Sequence, residues 1–396
     1  MKTSFGSAAS RSVVRQLAAA GYEAVFVGGA VRDFALGKEP ADIDIATSAL
    51  PEQVKEVFGH TVDIGIAHGT VLVILEGEPI EVTTFRTEGT YSDHRRPEGV
   101  FYVTSLKEDL QRRDFTINAL AMTLDGELID LFGGLQDLED RFIRCVGNPA
   151  ERFSEDALRI FRALRFTSVL DFRIEQETLD AMKKMAYELR HIARERIKTE
   201  MDKLLTGRNP SAAFQFSREI KLPELFPELF SSFERLDEYA PFRSVRHGWA
   251  AILALSESNA SELTRQFKLS NEDKRFLKQF EEASAKRKKH LFEELDLYDF
   301  PLDVLEITEM IHLSRYPNEK VEPVEELAAR KQQLPIQQRS ELAFTGTDLL
   351  EWSGRRGGKW TSEWIRIIEE AVVCRLIEND AQAIKEWFVY EISRKE

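Results

Sequence analysis

The spacing of apolar and polar positions changes once along this chain, near residue 150. Before that point the stretches are short and of mixed period. "SRSVVRQLAAAG" has helical spacing and ends at Gly21. "EAVFVGG" predicts a short strand running into two glycines. "VRDFALG" predicts a short helix closed by Gly37, and "ADIDIATS" alternates as a strand does. "GTVLVIL" and "PIEVTTFR" are rich in β-branched residues and predict strands. "FTINALAMTL" predicts a helix, and "ELIDLFGG" a strand turning at Gly133-Gly134. After about residue 150 the period becomes helical, in "RFSEDALRIFRALRF", "QETLDAMKKMAYELRHIARERIKTEMDKLL" and "PSAAFQFSREI". From there to Glu396 the pattern shows helices between proline and glycine turns and no strand pair. Breaks fall near Asn209-Pro210, near Pro301 and around "YPNEKVEPVEEL". The expected fold class is α+β, a small mixed α/β head followed by an all-helical remainder.

Composition adds limits rather than elements. The 396 residues are 43% hydrophobic, enough for real cores. A net charge of −14 excludes a wholly basic nucleic-acid coat but leaves room for local basic patches. Cys145 and Cys374 are far apart, so neither a disulfide framework nor a zinc site is expected. The N-terminus lacks the apolar core of a signal peptide, and no uncharged apolar run reaches the ~18 residues of a membrane span. A soluble, cytoplasmic protein is expected.

Three stretches carry candidate chemistry. In "VFVGGAVRD" a strand feeds glycines and a helix, a geometry that brings backbone N–H groups to a phosphate, with Arg32 one turn on. A bland tight turn is the alternative. In "DIDIAT", Asp42 and Asp44 share one face of a strand while Ile43 and Ile45 face the core. Two carboxylates so placed can hold divalent cations for nucleotidyl transfer; an exposed polar face is the alternative. Glu81 in "PIEVTTFR" is a candidate third carboxylate, or again a solvated strand face. "QRRDFTINALAM" offers Arg113 and Asn118 for triphosphate or ribose contact, with Asp114 as a helix cap.

"EDALRIFRALRF" is read as one helix. Asp156, Arg159, Arg162 and Arg165 then step round by ~60° each, forming a polar stripe ~13 Å long. Ala157, Ile160, Phe161 and Leu164 form the core side, with Leu158 falling awkwardly in the polar sector. An ordinary solvated basic face is the other reading.

Taken together, "GGAVRDFALGKEPADIDIAT", "RRDFTINALA", "DLFGGLQDLEDRFIRCVG", "EDALRIFRALRF" and "ARERIKTEM" resemble the bacterial CCA-adding tRNA nucleotidyltransferases, of the polymerase-beta-like superfamily. The likeness is dense over roughly residues 22–205. It implies a catalytic head (1–148), a nucleotide-binding neck (149–208), a body (209–305) and a tail (306–396). It implies addition of C, C and A to the tRNA 3′ end from CTP and ATP, with Mg²⁺ as cofactor and the tRNA acceptor end and elbow as partner. By the same resemblance Asp42 and Asp44 bind catalytic metals, Gly29 and Arg32 hold phosphates, and Arg113 contacts the incoming nucleotide. Asp156 and Arg159 read the base; Arg162 and Arg165 contact phosphate or ribose. Cytosine and adenine each present an amino donor beside a ring acceptor, which complements an acceptor-only aspartate and a donor-only arginine; uracil and guanine do not. A poly(A) polymerase, or an A-adding-only or CC-adding-only relative, shares the head motifs. The long polar segment 86–111 matches a loop that the family needs for adding A.

Overall fold

The computed structural model describes residues 5–40, 42–65, 69–88 and 100–394. The chain forms two compact units, Met1–Val245 and Arg246–Glu396. The first holds the expected head and neck and the beginning of the expected body.

In the first unit, α1 (Ala8–Ala19) is capped by Ser7 and buries Val13, Val14 and Leu17. It leads to β1 (Ala24–Val27), α2 (Gly29–Ala35), β2 (Asp44–Thr47), α3 (Pro51–Val57), β3 (Thr61–Gly65), β4 (Thr70–Leu75) and β5 (Glu78–Thr84). A small ribbon follows, β6 (Arg86–Glu88) with β7 (Val100–Tyr102), then α4 (Leu106–Gln111), β8 (Leu120–Met122), β9 (Leu128–Asp130), α5 (Gly134–Asp140) and β10 (Phe142–Ile143). Seven strands make one sheet in the order β3-β4-β5-β2-β1-β8-β9, with β2 and β5 parallel. The predicted strands all form, and residues 89–99, the middle of the segment tied to A addition, lie outside the described residues.

Two expected helices do not form as read. "FTINALAMTL" is not a helix: Thr116–Asn118 make a single 3₁₀ turn and Leu120–Met122 form β8. Ile117, Ala119, Leu120, Ala121 and Met122 are all almost fully buried. A run buried on every side carries no period that separates helix from strand, and pairing with β1 and β9 decides it.

The expected neck segment holds α6 (Pro149–Glu155), α7 (Leu158–Leu170), the two-residue strand β11 (Arg173–Ile174), α8 (Gln176–Met185) and α9 (Arg194–Leu205), and α10 (Pro210–Glu219) follows it. β11 pairs in parallel with β10 and is a small addition to an otherwise helical segment. "EDALRIFRALRF" is not one helix either. α6 ends at Glu155, and Asp156 is extended at φ −146°, ψ 102° before α7 begins. The Asp156 side chain accepts from the Leu158 amide at 3.1 Å, so it serves the start of α7 rather than riding on it.

The second unit is built of helices, from Val245–Leu255 to Ala381–Arg394. Among the described residues no helix is long and apolar enough to cross a membrane. Its basic run around Lys286 is partly structural. Lys286 pairs with buried Asp296 at 2.7 Å, and Arg287 with Glu309 at 2.6 Å, both of the latter pair buried. Breaking one side of such a pair leaves an uncompensated buried charge. Glu309→Gln should therefore destabilise the Arg246–Glu396 unit by about 3–5 kcal/mol, and Glu309→Leu combined with Arg287→Met should recover most of the loss. Calorimetric unfolding of the variants checks both; an unchanged Glu309→Gln transition would show that the pair stabilises nothing.

Candidate active site

Strand register assembles the first half of the site. Val27, the last residue of β1, lies opposite Asp44, the first of β2; Asp44 lies beside Glu81 on β5. Adjacent strands stand about 4.8 Å apart, so the end of β1, Asp44 and Glu81 share one edge of the sheet. Asp42, just before β2, is exposed, as are Asp44 and Glu81. Ile45 is fully buried as expected, but Asp42 and Ile43 precede the strand, Ile43 is only partly buried, and Ala46 on the Asp44 side is buried, so the strand does not alternate cleanly. Desolvation against the sheet, then Glu81, push the Asp44 carboxyl above its ordinary value; Arg113 opposes them and Asp42 adds to them.

The turn after β1 depends on Gly28 rather than on Gly29. Gly28 has φ +77° and ψ −137°, a region open essentially to glycine. A Cβ there would also meet the Arg113 guanidinium at 2.8 Å. Gly29 begins α2, and the space above it is bounded by the Arg32 guanidinium, 3.6 Å from where a Cβ would stand. The double glycine in the sequence was the signal for both.

The second half of the site is the polar side of α7. It is not a solvated face: Arg159 and Arg165 are buried, with Ile160, Phe161, Ala163 and Leu164 fully so. A cavity of about 1030 Å³ lies between α7 and the head. Of the residues singled out from the sequence, Asp42, Asp44, Gly29, Arg32, Arg113, Asn118, Asp156, Arg159, Arg162 and Arg165 line it, and Glu81 does not. Leu158, which looked misplaced in the polar sector, lines it too.

Each arginine singled out from the sequence is paired with a carboxylate. Arg162 Nε donates to Asp114 Oδ2 at 2.7 Å, and Asp114 Oδ1 accepts from Asn118 at 3.0 Å and from the Phe115 amide at 2.8 Å. Arg32 in turn donates to Asn118 Oδ1 at 2.8 Å and pairs with Asp33. Arg165 Nε stands 3.1 Å from Glu200 Oε2, a contact close enough for an ion pair but poorly aligned for a hydrogen bond, since neither atom has a hydrogen-bond partner. Arg112 and Arg113 share buried Asp109, and Arg159 pairs with Glu155. Asp156 pairs with Arg196 of α9 through both oxygens, at 3.2 and 2.6 Å, rather than with Arg159 alone on a shared helix face. The Phe166 ring lies under three of these cations, 4.0 Å from Arg165, 5.3 Å from Arg32 and 5.7 Å from Arg162.

Sequence reasoning gave Asp114 only a cap and gave Phe166, Arg196 and Glu200 no role. For Glu200 a signal existed. It falls on the face of α9 that buries Ile197, Met201 and Leu204, and a charge on an apolar stripe requires a buried partner. Burial raises the Asp114 carboxyl, but Arg162 and the hydrogen bonds outweigh it and hold the group at about 2. Burial lowers the Arg165 guanidinium to about 10 against the pull of Glu200.

The donors fit divalent metal. Asp42 and Asp44 are hard oxygen ligands open to the cavity, with Glu81 in register beside them. Among the described residues no three His, Cys, Asp or Glu side chains stand close enough to hold an ion by themselves. The remaining ligands would have to come from a phosphorylated substrate, as is usual for Mg²⁺.

Three family models match the chain: "Poly A polymerase head domain" over residues 24–144, "Probable RNA and SrmB- binding site of polymerase A" over 171–233, and "tRNA nucleotidyltransferase domain 2 putative" over 240–388. The CCA-adding enzyme of Bacillus cereus (strain AH820) is 42% identical over 385 residues, 95% of this chain and 96% of that one. The CCA-adding enzyme of Bacillus cytotoxicus is 42% identical over 382 residues, with the same coverage of 95% and 96%. The solved structure of the Bacillus stearothermophilus CCA-adding enzyme in complex with CTP is 36% identical, with a TM-score of 0.89 over 100% of this chain and 99% of that one.

The Asp114 carboxyl sits at about 2, below its ordinary 3.8, so its contribution to stability is complete above pH 4 and is lost as pH falls through 2. That contribution is on the order of 2 kcal/mol. Asp114→Asn should unfold at lower urea at neutral pH, and the gap from the parent should narrow between about pH 4 and pH 2. A gap that stays constant over that range would show that the ionised carboxylate is not what stabilises the fold.

Proposed function

The chain belongs to the CCA-adding enzymes, and from that premise we propose that it adds C, C and A to the 3′ end of tRNA from CTP and ATP without a nucleic-acid template. The observation that carries this reading is the single cavity that collects the carboxylate edge, the glycine turn and the arginines of α7. The tRNA 3′-hydroxyl attacks the α-phosphate, the bond to the β-phosphate oxygen breaks, pyrophosphate leaves, and the hydroxyl proton passes to solvent.

Members of the family use divalent metal ions, and the hard carboxylates Asp42 and Asp44 suit Mg²⁺. Bound there, the ions would lower the pKa of the attacking hydroxyl and neutralise the leaving group. Glu81 lies in register beside Asp44 and adds negative charge next to that pair. The Gly28-Gly29 turn, Arg32 and Arg113 hold phosphates; Arg162 and Arg165 hold phosphate or ribose.

Asp156 and Arg159 face the base. Asp156 Oδ1 already accepts from Leu158 and Arg196, and Oδ2 from Arg196. A carboxylate has about four lone-pair sites, so Oδ2 keeps one for the amino group of cytosine or adenine. The Arg196 pair fixes the direction of that lone pair before the nucleotide arrives. A uracil or guanine carbonyl would stand oxygen against oxygen, and such an unpaired buried group costs roughly 1–3 kcal/mol or more. The helical second unit is the candidate for holding the acceptor arm and elbow, and the protein's place is with tRNA in the cytoplasm. The poly(A) polymerase reading is not favoured, because it rests on the head while relatives matched over 95% of the chain are CCA-adding enzymes.

Transcripts lacking CCA, CA or A, supplied with CTP, ATP or both, test the reading. Addition should stop at CCA; runs of A, or C without A, would overturn it. Asp42→Ala and Asp44→Ala should each abolish incorporation, and substantial Mg²⁺-dependent activity in either would remove that residue from the metal site.

A further inference from the structure

The cavity's charges divide into two groups. Ten of its lining side chains are cationic and five are acidic, on a chain whose net charge is −14. Eight of the ten cations already have partners, among them every arginine singled out from the sequence. Among the described residues, Lys203 and Arg208 alone of the ten have no ion-pair or hydrogen-bonded partner. Both are exposed to the cavity side of the corner between α9 and α10.

That corner is built rather than loose. Ser168 of α7 donates its hydroxyl to the Leu204 carbonyl at 2.6 Å, and its own carbonyl accepts from the Asn209 amide at 2.8 Å. Asn209 also donates to Asp171 at 2.6 Å. Gly207 lies so close to α7 that a Cβ would meet Ser168 Oγ at 2.1 Å. Lys203 and Arg208 therefore extend from a backbone pinned to the same helix that carries the arginine stripe. Val169, which also lines the cavity, is one turn beyond Arg165, about 6 Å further along the axis from Asp156.

We propose that Lys203 and Arg208 form the subsite for the distal phosphates of the incoming nucleotide and for the pyrophosphate that leaves. The inference rests on the reading of the cavity as the nucleotide site. If the base lies at Asp156 and the nearer phosphates at Arg32 and Arg165, the α9–α10 corner is the remaining cationic part of the same cavity lining, open to the distal phosphates. Two cations with no internal carboxylate engage a phosphate without first breaking an ion pair, so they discriminate by phosphate number and take no part in choosing the base.

The test uses the full-length protein with Mg²⁺ and inorganic pyrophosphate, with binding read by calorimetry, alongside KM for CTP, ATP and tRNA. Lys203→Gln and Arg208→Gln should each weaken pyrophosphate binding roughly tenfold, the usual loss for one charge-assisted hydrogen bond. KM for CTP and ATP should rise by the same factor, KM for tRNA should stay, and the preference for CTP over CDP should shrink. Lys203→Arg should retain most of the affinity. Unchanged pyrophosphate binding in the double variant would make these ordinary surface cations. A defect confined to tRNA would make them contacts to the RNA backbone. Either result overturns the proposal while leaving CCA addition by the parent protein intact.

Discussion

The site depends on one ion pair, buried Asp114 with half-buried Arg162. Asp114 sits beside the 3₁₀ turn before β8; Arg162 comes from the middle of α7, 48 residues on. The Asp114 carboxylate is not tolerable in its buried position without a cation beside it. From this pair a continuous line of polar contacts runs out both ways. It passes through Asn118 to Arg32 on one side, and through Glu200 to Arg165 on the other. The glycine turn of the head and the basic stripe of the neck are thus fixed relative to each other by hydrogen-bond geometry, not by apolar packing alone.

The same constraint accounts for the character of the cavity. A set of buried arginines would repel one another and lose their solvation, so each is matched to a carboxylate that orients it. The cationic excess is small and local, carried on a chain with an acidic surface overall. A low-dielectric cleft with a modest positive excess focuses its field on an anion while the rest of the surface repels it. Phe166 contributes a neutral plate to this arrangement: its face attracts three guanidinium groups without claiming any of their N–H donors.

The carboxylate edge is governed by a different constraint, strand register. A slip of one residue between β1, β2 and β5 would turn Asp44 or Glu81 to the opposite face. Ile45, Val82, Val25 and Val27, all buried, prevent that slip. Apolar packing thus sets the position of the acidic groups, and their mutual repulsion is then available to a cation.

Alternation and β-branched content were enough to locate the strands bearing Asp44 and Glu81, and the double glycine located the turn. Apart from Glu81, the residues picked from the sequence for metal or nucleotide line one cavity, because their motifs occur at fixed places on predictable elements. Three matters were beyond local pattern. The mostly buried "FTINALAMTL" has no period to read, and pairing with β1 and β9 made its Leu120–Met122 part a strand. The break at Asp156 follows from Asp156 serving as both a cap for α7 and a partner for Arg196, 40 residues away. The division of the arginines into paired and unpaired groups depends on carboxylates brought from α4, α6 and α9. Periodicity and motif spacing act over a few residues, and the sequence alone determined what they determine. Ion pairing under burial acts between segments distant in the chain, and only the tertiary structure decided which charges meet.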